Sequence, residues 1–202
     1  MTKGNIILLA GPSGSGKDSV MSKLFERQKD LCFSISHTTR PMREGEVQDL
    51  KYHHISKEEF NDLLNNDEFL EYNFYAGNYY GTAKTPVLEC IKNGKDMLIE
   101  VDVNGAKNIK KILPDAITVF IMPPSFETLN KRLTSRGTEQ PEQIAKRLNT
   151  ALDEIKRANE FDFIVVNDDL SKAVDDFERI ILTERLKYKN NIELIEGVLK
   201  QC

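Results

Sequence analysis

The sequence predicts an α/β fold: a parallel sheet core flanked by helices, interrupted by one small, mostly β insertion and by a lid. Three observations carry that prediction. Short, near-continuous apolar runs recur along the chain: Ile6–Ala10, 97–101 (Met-Leu-Ile-Glu-Val), Ile117–Met122 and Phe163–Val166. Helical apolar faces lie between and after them. The segment 33–82 breaks this alternation, being rich in Tyr, Phe, Thr and charge. Strands that are apolar on both faces and separated by amphipathic helices belong to a parallel sheet covered on both sides.

Taken in order, Ile6–Ala10 is the first buried strand, and residues 19–27 form the helix after it. Within 33–82, Glu44-Gly45 and Ala76-Gly77-Asn78 are turn signals, and residues 57–65 form a helix. Beyond the second strand, Phe126, Leu129 and Leu133 share one helical face. Ile144, Leu148, Ala151, Leu152 and Ile155 share another, and Ala173, Val174, Phe177, Ile180 and Ile181 a third. The polar stretch 135–141 reads as a flap between two helices, and 188–202 as a terminal helix. The expected division is a core of 1–32 and 83–202, with the lid at about 134–145, and an insertion at 33–82.

Composition narrows the classes. The chain has 202 residues, 40% hydrophobic and 30% charged, which suits one globular core and excludes a disordered chain. No apolar run approaches the roughly 18 residues that span a bilayer, and nothing at the N-terminus resembles a signal peptide. A cytoplasmic protein without a membrane partner is expected. The net charge of −4 does not favour nucleic acid polymers, which select a basic face. The cysteines, Cys32, Cys90 and Cys202, are odd in number, widely spaced and without a C-x-x-C pair. Plain reduced thiols are therefore expected, not a disulfide framework or a zinc site. His37, His53 and His54 lack zinc spacing with those cysteines and read as structural or surface groups.

The chemistry starts at Gly11-Pro12-Ser13-Gly14-Ser15-Gly16-Lys17, between an apolar strand and a helix. This is the context of a phosphate-binding P-loop. Glycines let successive backbone N–H groups turn inward around an anion, and the helix start adds partial positive charge. Lys17 then supplies a point charge for outer phosphates. The next residue is usually Ser or Thr, whose hydroxyl meets Mg²⁺; here it is Asp18, followed by Ser19. A carboxylate also holds Mg²⁺, directly or through water, but it can equally repel phosphates. Strand alternation in Glu100-Val101-Asp102 places Glu100 and Asp102 on one side. Two like charges at the end of an apolar strand need a cation or donors, or else solvent.

Along 4–186 the chain resembles the guanylate kinases. The resemblance rests on Ser34-Ile35-Ser36-His37-Thr38-Thr39-Arg40-Pro41-Met42-Arg43-Glu44-Gly45-Glu46, on Phe69-Leu70-Glu71-Tyr72 and on Gly77-Asn78-Tyr79-Tyr80-Gly81-Thr82. It continues through Asp102-Val103-Asn104-Gly105-Ala106, with Asn104 where Gln is common, and through Pro123-Pro124-Ser125, Arg136-Gly137-Thr138 and Asn167-Asp168-Asp169. The resemblance implies a P-loop kinase that transfers the γ-phosphoryl group of ATP to GMP with Mg²⁺. It implies that Ser36, Arg40, Arg43, Tyr52 and Tyr80 bind the GMP phosphate, and that Glu71, Thr82 and Asp102 read the guanine. The P-loop residues 11–19 and Asn167 would bind ATP. Lys17, Arg132, Arg136 and Arg147 would stabilise the transferring phosphoryl group. Asp18 and Glu100 are the candidate metal ligands, acting directly or through water.

Residue chemistry is consistent with these roles. Arginine makes planar, bidentate contacts to phosphate oxygens. Guanine offers N1–H and an amino donor to carboxylates, whereas adenine would leave them unpaired. Three alternatives stay open at this point. Isolated arginines are often surface charges, and Tyr52 and Tyr80 could be packing aromatics. The loop itself, with Asp18 and Ser19, also resembles that of ribose 1,5-bisphosphate phosphokinases. Finally, non-catalytic guanylate-kinase-like modules bind proteins, although they commonly lack an intact phosphate loop. A monomer or a homodimer is expected.

Overall fold

The computed structural model describes residues 3–43, 45–75, 77–134 and 141–200. A five-stranded sheet forms its centre, built from β1 (Ile6–Ala10), β2 (Leu31–Phe33), β7 (Asp96–Glu100), β8 (Ile117–Met122) and β9 (Phe163–Val166) in the order β2-β7-β1-β8-β9. Every pairing in it is parallel. Side chains alternate across the sheet, so β1 feeds two cores. Ile7 and Leu9 join Val20 and Leu24 of α1 (Lys17–Arg27) and Val174 and Phe177 of α7 (Leu170–Arg185). Ile6 and Leu8 face Val87 and Ile91 of α3 (Lys84–Lys92) and Ala106 and Ile109 of α4 (Val103–Ile112). This two-sided burial is why the strands read as continuous apolar runs.

A second sheet, β4-β3-β6-β5, is inserted between β2 and α3. It comprises β3 (Ser36–Thr38), β4 (Tyr52–His54), β5 (Phe69–Tyr75) and β6 (Asn78–Ala83). Helix α2 (Lys57–Asn65) begins with a reciprocal capping box between Ser56 and Glu59. It drives Phe60, fully buried, against Phe69 and Tyr79, with ring centroids 4.6 and 5.2 Å away. The helix α5 (Phe126–Thr134) and the helix α6 (Pro141–Lys156) pack through Leu129, Leu133 and Ala151. Residues 135–140, which include Arg136, lie outside the described residues. So does Cys202.

Four sequence expectations are corrected. The first helix starts at Lys17, not at residue 19. β2 already pairs with β7 through residue 33, so the small sheet begins at Ser36. The C-terminal segment divides into a 3-10 turn at Tyr188–Asn190 and α8 (Ile192–Leu199). Most consequentially, β7 ends at Glu100, and Asp102 is the N-cap of α4, its side chain accepting from Gly105 N at 2.7 Å. A capping aspartate satisfies an orphan helix donor, and that chemistry overrides the alternation that continued the strand on paper.

Candidate active site

β1 is the central strand, with β7 on one side and β8 on the other. Loops leaving the carboxyl ends of neighbouring strands diverge at such a position and open a crevice. The P-loop occupies it. Gly16 caps α1 in the left-handed region, with φ 88°, and a Cβ there would lie 2.3 Å from Asn167 Nδ2. Only glycine suits that place. Asn167, which follows β9 and is buried, donates from Nδ2 to Ser15 O at 2.8 Å. Arg132 of α5 donates to Ser15 O at 3.3 Å and to Asn167 O at 3.0 Å. Arg147 of α6 donates to Ser13 Oγ at 2.5 Å. Two of the predicted arginines thus converge on the loop, and Asn167 braces it.

Lys17 Nζ folds back over the loop to Gly11 O at 2.6 Å. Burial pulls its pKa below the ordinary lysine value, against the opposing pull of Glu100, Glu154 and Asp18. Asp18 and Ser19 are exposed on the first turn of α1. Ser15 is fully buried, and its hydroxyl has no partner among the described residues.

Across the crevice, the small sheet assembles two groups of predicted residues. Glu71 of β5 and Thr82 of β6 are register partners, and Thr82 Oγ1 donates to Glu71 Oε1 at 3.1 Å. The other oxygen, Glu71 Oε2, is buried without a hydrogen-bond partner among the described residues. A Cβ built on Gly105 would sit 3.3 Å from Glu71 Oε2 and 3.5 Å from Asp102 Oδ1. Both carboxylates therefore converge on the start of α4. Burial pushes Glu71 up to about 7, with Asp102 adding to the rise and the Thr82 hydrogen bond opposing it. Such an acceptor pair suits a ligand that presents donors.

The second group is aromatic and cationic. Arg40 is buried and donates to Glu46 Oε1 at 2.8 Å and to Pro41 O at 2.9 Å, with its guanidinium 5.6 Å from the Tyr52 ring centroid. Tyr52 and Tyr80 meet edge to face at 5.9 Å. The hydrogen bond from Arg40 is the largest cause holding Glu46 down at about 2. Ser36 is half-buried beside Tyr52, its register partner, and Arg43 is exposed. The histidines take framework positions: His54 Nδ1 is 2.8 Å from Arg40 O, and His53 Nδ1 is 2.5 Å from Asp49.

Sequence reasoning missed three residues of the site. Lys51 Nζ bridges Asp18 at 2.6 Å and Glu100 at 3.1 Å. Asn73 Nδ2 donates to Asp102 Oδ2 at 2.8 Å. Glu154, whose pKa is raised by burial and lowered by Lys17, faces the P-loop lysine from α6. None lies in a motif. Asn73 was findable, being two residues beyond Glu71 on the same strand face.

A phosphate loop at the centre of a parallel sheet, with arginines converging on it and an acceptor-lined pocket opposite, defines a P-loop phosphotransferase. The profile of the guanylate kinase family matches residues 3–184. A guanylate kinase of Carboxydothermus hydrogenoformans is 42% identical over 199 residues, covering 98% of each chain. One from Neisseria meningitidis serogroup A is 44% identical, covering 98% of this chain and 97% of its own. The crystal structure of guanylate kinase from Anaplasma phagocytophilum superposes with a TM-score of 0.78 at 29% identity, covering 94% of this chain and 90% of its own. The chain belongs to the guanylate kinase family. It is accordingly an enzyme, a nucleoside monophosphate kinase acting as an ATP:GMP phosphotransferase.

Proposed function

We propose that the crevice between the two sheets holds ATP on the P-loop and GMP on the small sheet, and that this chain's residues join them by in-line transfer, giving ADP and GDP. The observation that carries this reading is the Glu71 carboxylate, with one oxygen on Thr82 and the other buried without a hydrogen-bond partner among the described residues. Guanine N1–H and its amino group would supply the missing donors, with Asp102 as the second acceptor. Ser36, Arg40, Arg43, Tyr52 and Tyr80 would bind the GMP phosphate. Residues 33–82, in which the small sheet itself begins at Ser36, would be the GMP-binding lobe, and the remainder, with a lid at about 134–145, the ATP-binding core.

The GMP phosphate is already an anionic nucleophile, so catalysis is positioning plus neutralisation of spreading charge. Lys17, now held on Gly11 O, would swing to the outer phosphates of ATP. Arg132 and Arg147 already touch the loop, and Arg136 would join them. P-loop residues 11–19 and Asn167 would hold ATP. Asp18 and Glu100 both reach a single cation, Lys51 Nζ, and as hard oxygen donors they suit Mg²⁺. Bound with ATP, that ion would neutralise phosphate charge. Calorimetric titration of GMP and AMP tests the guanine pocket: GMP is expected to bind, and Glu71→Gln is expected to remove most of its advantage over AMP. Equal binding of GMP and AMP by the unmodified chain would overturn the pocket assignment.

Among the described residues no helix is long and apolar enough to cross a membrane. Free Cys32 and Cys90 suit a reducing cytoplasm. Of monomer and homodimer, the homodimer is favoured, because α8 buries no residue and leaves Leu194 and Leu199 exposed. Two copies would pack this apolar face, which Ile195 and Val198 share with Leu194 and Leu199, against each other. Sedimentation velocity is expected to give a dimer that Leu194→Glu splits; a monomer at all concentrations would overturn it.

A further inference from the structure

Lys51 stands where the site's chemistry would otherwise call for a metal. It comes from the loop between β3 and β4, 33 residues from Asp18 in sequence, yet its ammonium meets both Asp18, on the first turn of α1, and Glu100, at the end of β7. Glu100 is the less accessible carboxylate, its side chain 17% exposed. It also acts on Lys17, more strongly than any other carboxylate. Asp18 is the residue that departs from the usual hydroxyl after the P-loop lysine. A carboxylate there would repel triphosphate oxygens and, with Glu100, invite a divalent cation.

We propose that Lys51 is a tethered cation that fills the position between Asp18 and Glu100, and that this positioning residue is what makes Asp18 compatible with ATP binding. The geometry is that of a counter-ion: one Nζ within 2.6 Å and 3.1 Å of two carboxylates on two different elements. Lys51 and Asp18 therefore form a functional unit in which each residue requires the other. Magnesium then arrives and leaves with the nucleotide, and the free chain holds no divalent ion on these two carboxylates. The inference rests on the reading of residues 11–19 as the ATP site.

Nucleotide-free protein titrated with Mn²⁺, with free Mn²⁺ followed by electron paramagnetic resonance, tests this without any turnover. The intact chain and Lys51→Arg are expected to bind no Mn²⁺ at this position. Lys51→Met is expected to gain one site, and Asp18→Ser in the same chain to lose it again. Steady-state kinetics supply the second arm. Lys51→Met is expected to raise KM for Mg-ATP about tenfold, and the Lys51→Met, Asp18→Ser double variant to return it to within about threefold of the starting value. Lys51→Gln replaces Lys51→Met if the latter does not fold. Mn²⁺ bound by the intact chain and lost on Asp18→Ser would overturn the proposal. So would no gain of Mn²⁺ on removing Lys51, or identical KM values for the single and double variants. Loss of ATP binding by the intact chain would instead overturn the ATP-site reading, and the Mn²⁺ titration, which contains no nucleotide, separates the two failures.

Discussion

Thr82 and Glu71 face each other across β5 and β6, and the Thr82 hydroxyl satisfies one carboxylate oxygen while leaving Glu71 Oε2 buried without a hydrogen-bond partner among the described residues. A buried acceptor without a donor is costly in the free protein, on the order of 1–3 kcal/mol, and that cost is recovered when a ligand supplies the donor. Replacing Glu71 by Gln presents an N–H where the guanine donors would arrive. We expect Glu71→Gln to lower kcat/KM for GMP by about 10²-fold or more, with ATP affinity changed by less than about threefold. Steady-state kinetics with each substrate varied separately checks this; equal losses for both nucleotides would contradict it.

The raised pKa of Glu71 adds two pH dependences. Below about 7 the carboxyl is protonated in the free enzyme and has lost one acceptor position, so kcat/KM for GMP should fall as pH drops through that value. Glu71→Gln should show no such limb. For stability the sign is opposite. A group whose folded pKa is raised favours the fold most at low pH, and that contribution is lost as pH rises from the unfolded value near 4.5 through about 7. Above that window the intact chain carries a buried charge, and Glu71→Gln should be the more stable protein, by up to about 3 kcal/mol. Urea denaturation at pH 5 and pH 8 measures the difference.

Lys17 hydrogen-bonds Gly11 O and Pro12 O, so it is preorganised over the loop but makes contacts that phosphates must replace. Lys17→Met should reduce kcat at least about 10²-fold while far-ultraviolet circular dichroism and the melting temperature stay close to those of the intact chain. Near-normal turnover would remove Lys17 from the chemistry.

Much of this site was legible in the sequence because its residues sit in ordered local strings. Glu71, Thr82, Arg40, Tyr80 and Asn167 were each read from such a string; the structure pairs Thr82 with Glu71, sets Arg40 and Tyr80 around Tyr52, and sets Asn167 against the P-loop at Ser15. Lys51 was not legible. Its partners lie 33 and 49 positions away, and no local pattern encodes a contact made by folding the β3–β4 loop over β7. Asp102 was visible but was placed on the wrong element, since Glu-Val-Asp continues a strand pattern as well as it ends one. β2 escaped notice because three residues at a sheet edge carry too little periodicity to register.

Arg132 spans Ser15 O and Asn167 O, tying α5 and the segment after β9 to the P-loop. Arg132→Ala should therefore lower kcat by roughly 10²–10³-fold, as expected for losing a charge on the transferring phosphoryl group, and should raise KM for ATP only a few-fold. Arg132→Lys should recover only part of the loss, because a point charge cannot make both contacts. Pre-steady-state measurement of ADP formation separates this from an effect on product release.

Phe60 is fully buried between Phe69 and Tyr79. Phe60→Ala should cost about 3–5 kcal/mol of stability in chemical denaturation, and it should loosen GMP binding by displacing the strands that carry Glu71 and Thr82. A loss under about 1 kcal/mol would mean that α2 does not support that sheet.

The most direct test of the central claim is acceptor selectivity: coupled ADP release with Mg-ATP and, in parallel, GMP, AMP, UMP and ribose 1,5-bisphosphate. The account predicts turnover with GMP and less than about one hundredth of that rate with each of the others. Turnover with the sugar phosphate, or comparable rates with AMP, would contradict the guanine pocket built on Glu71, Thr82 and Asp102.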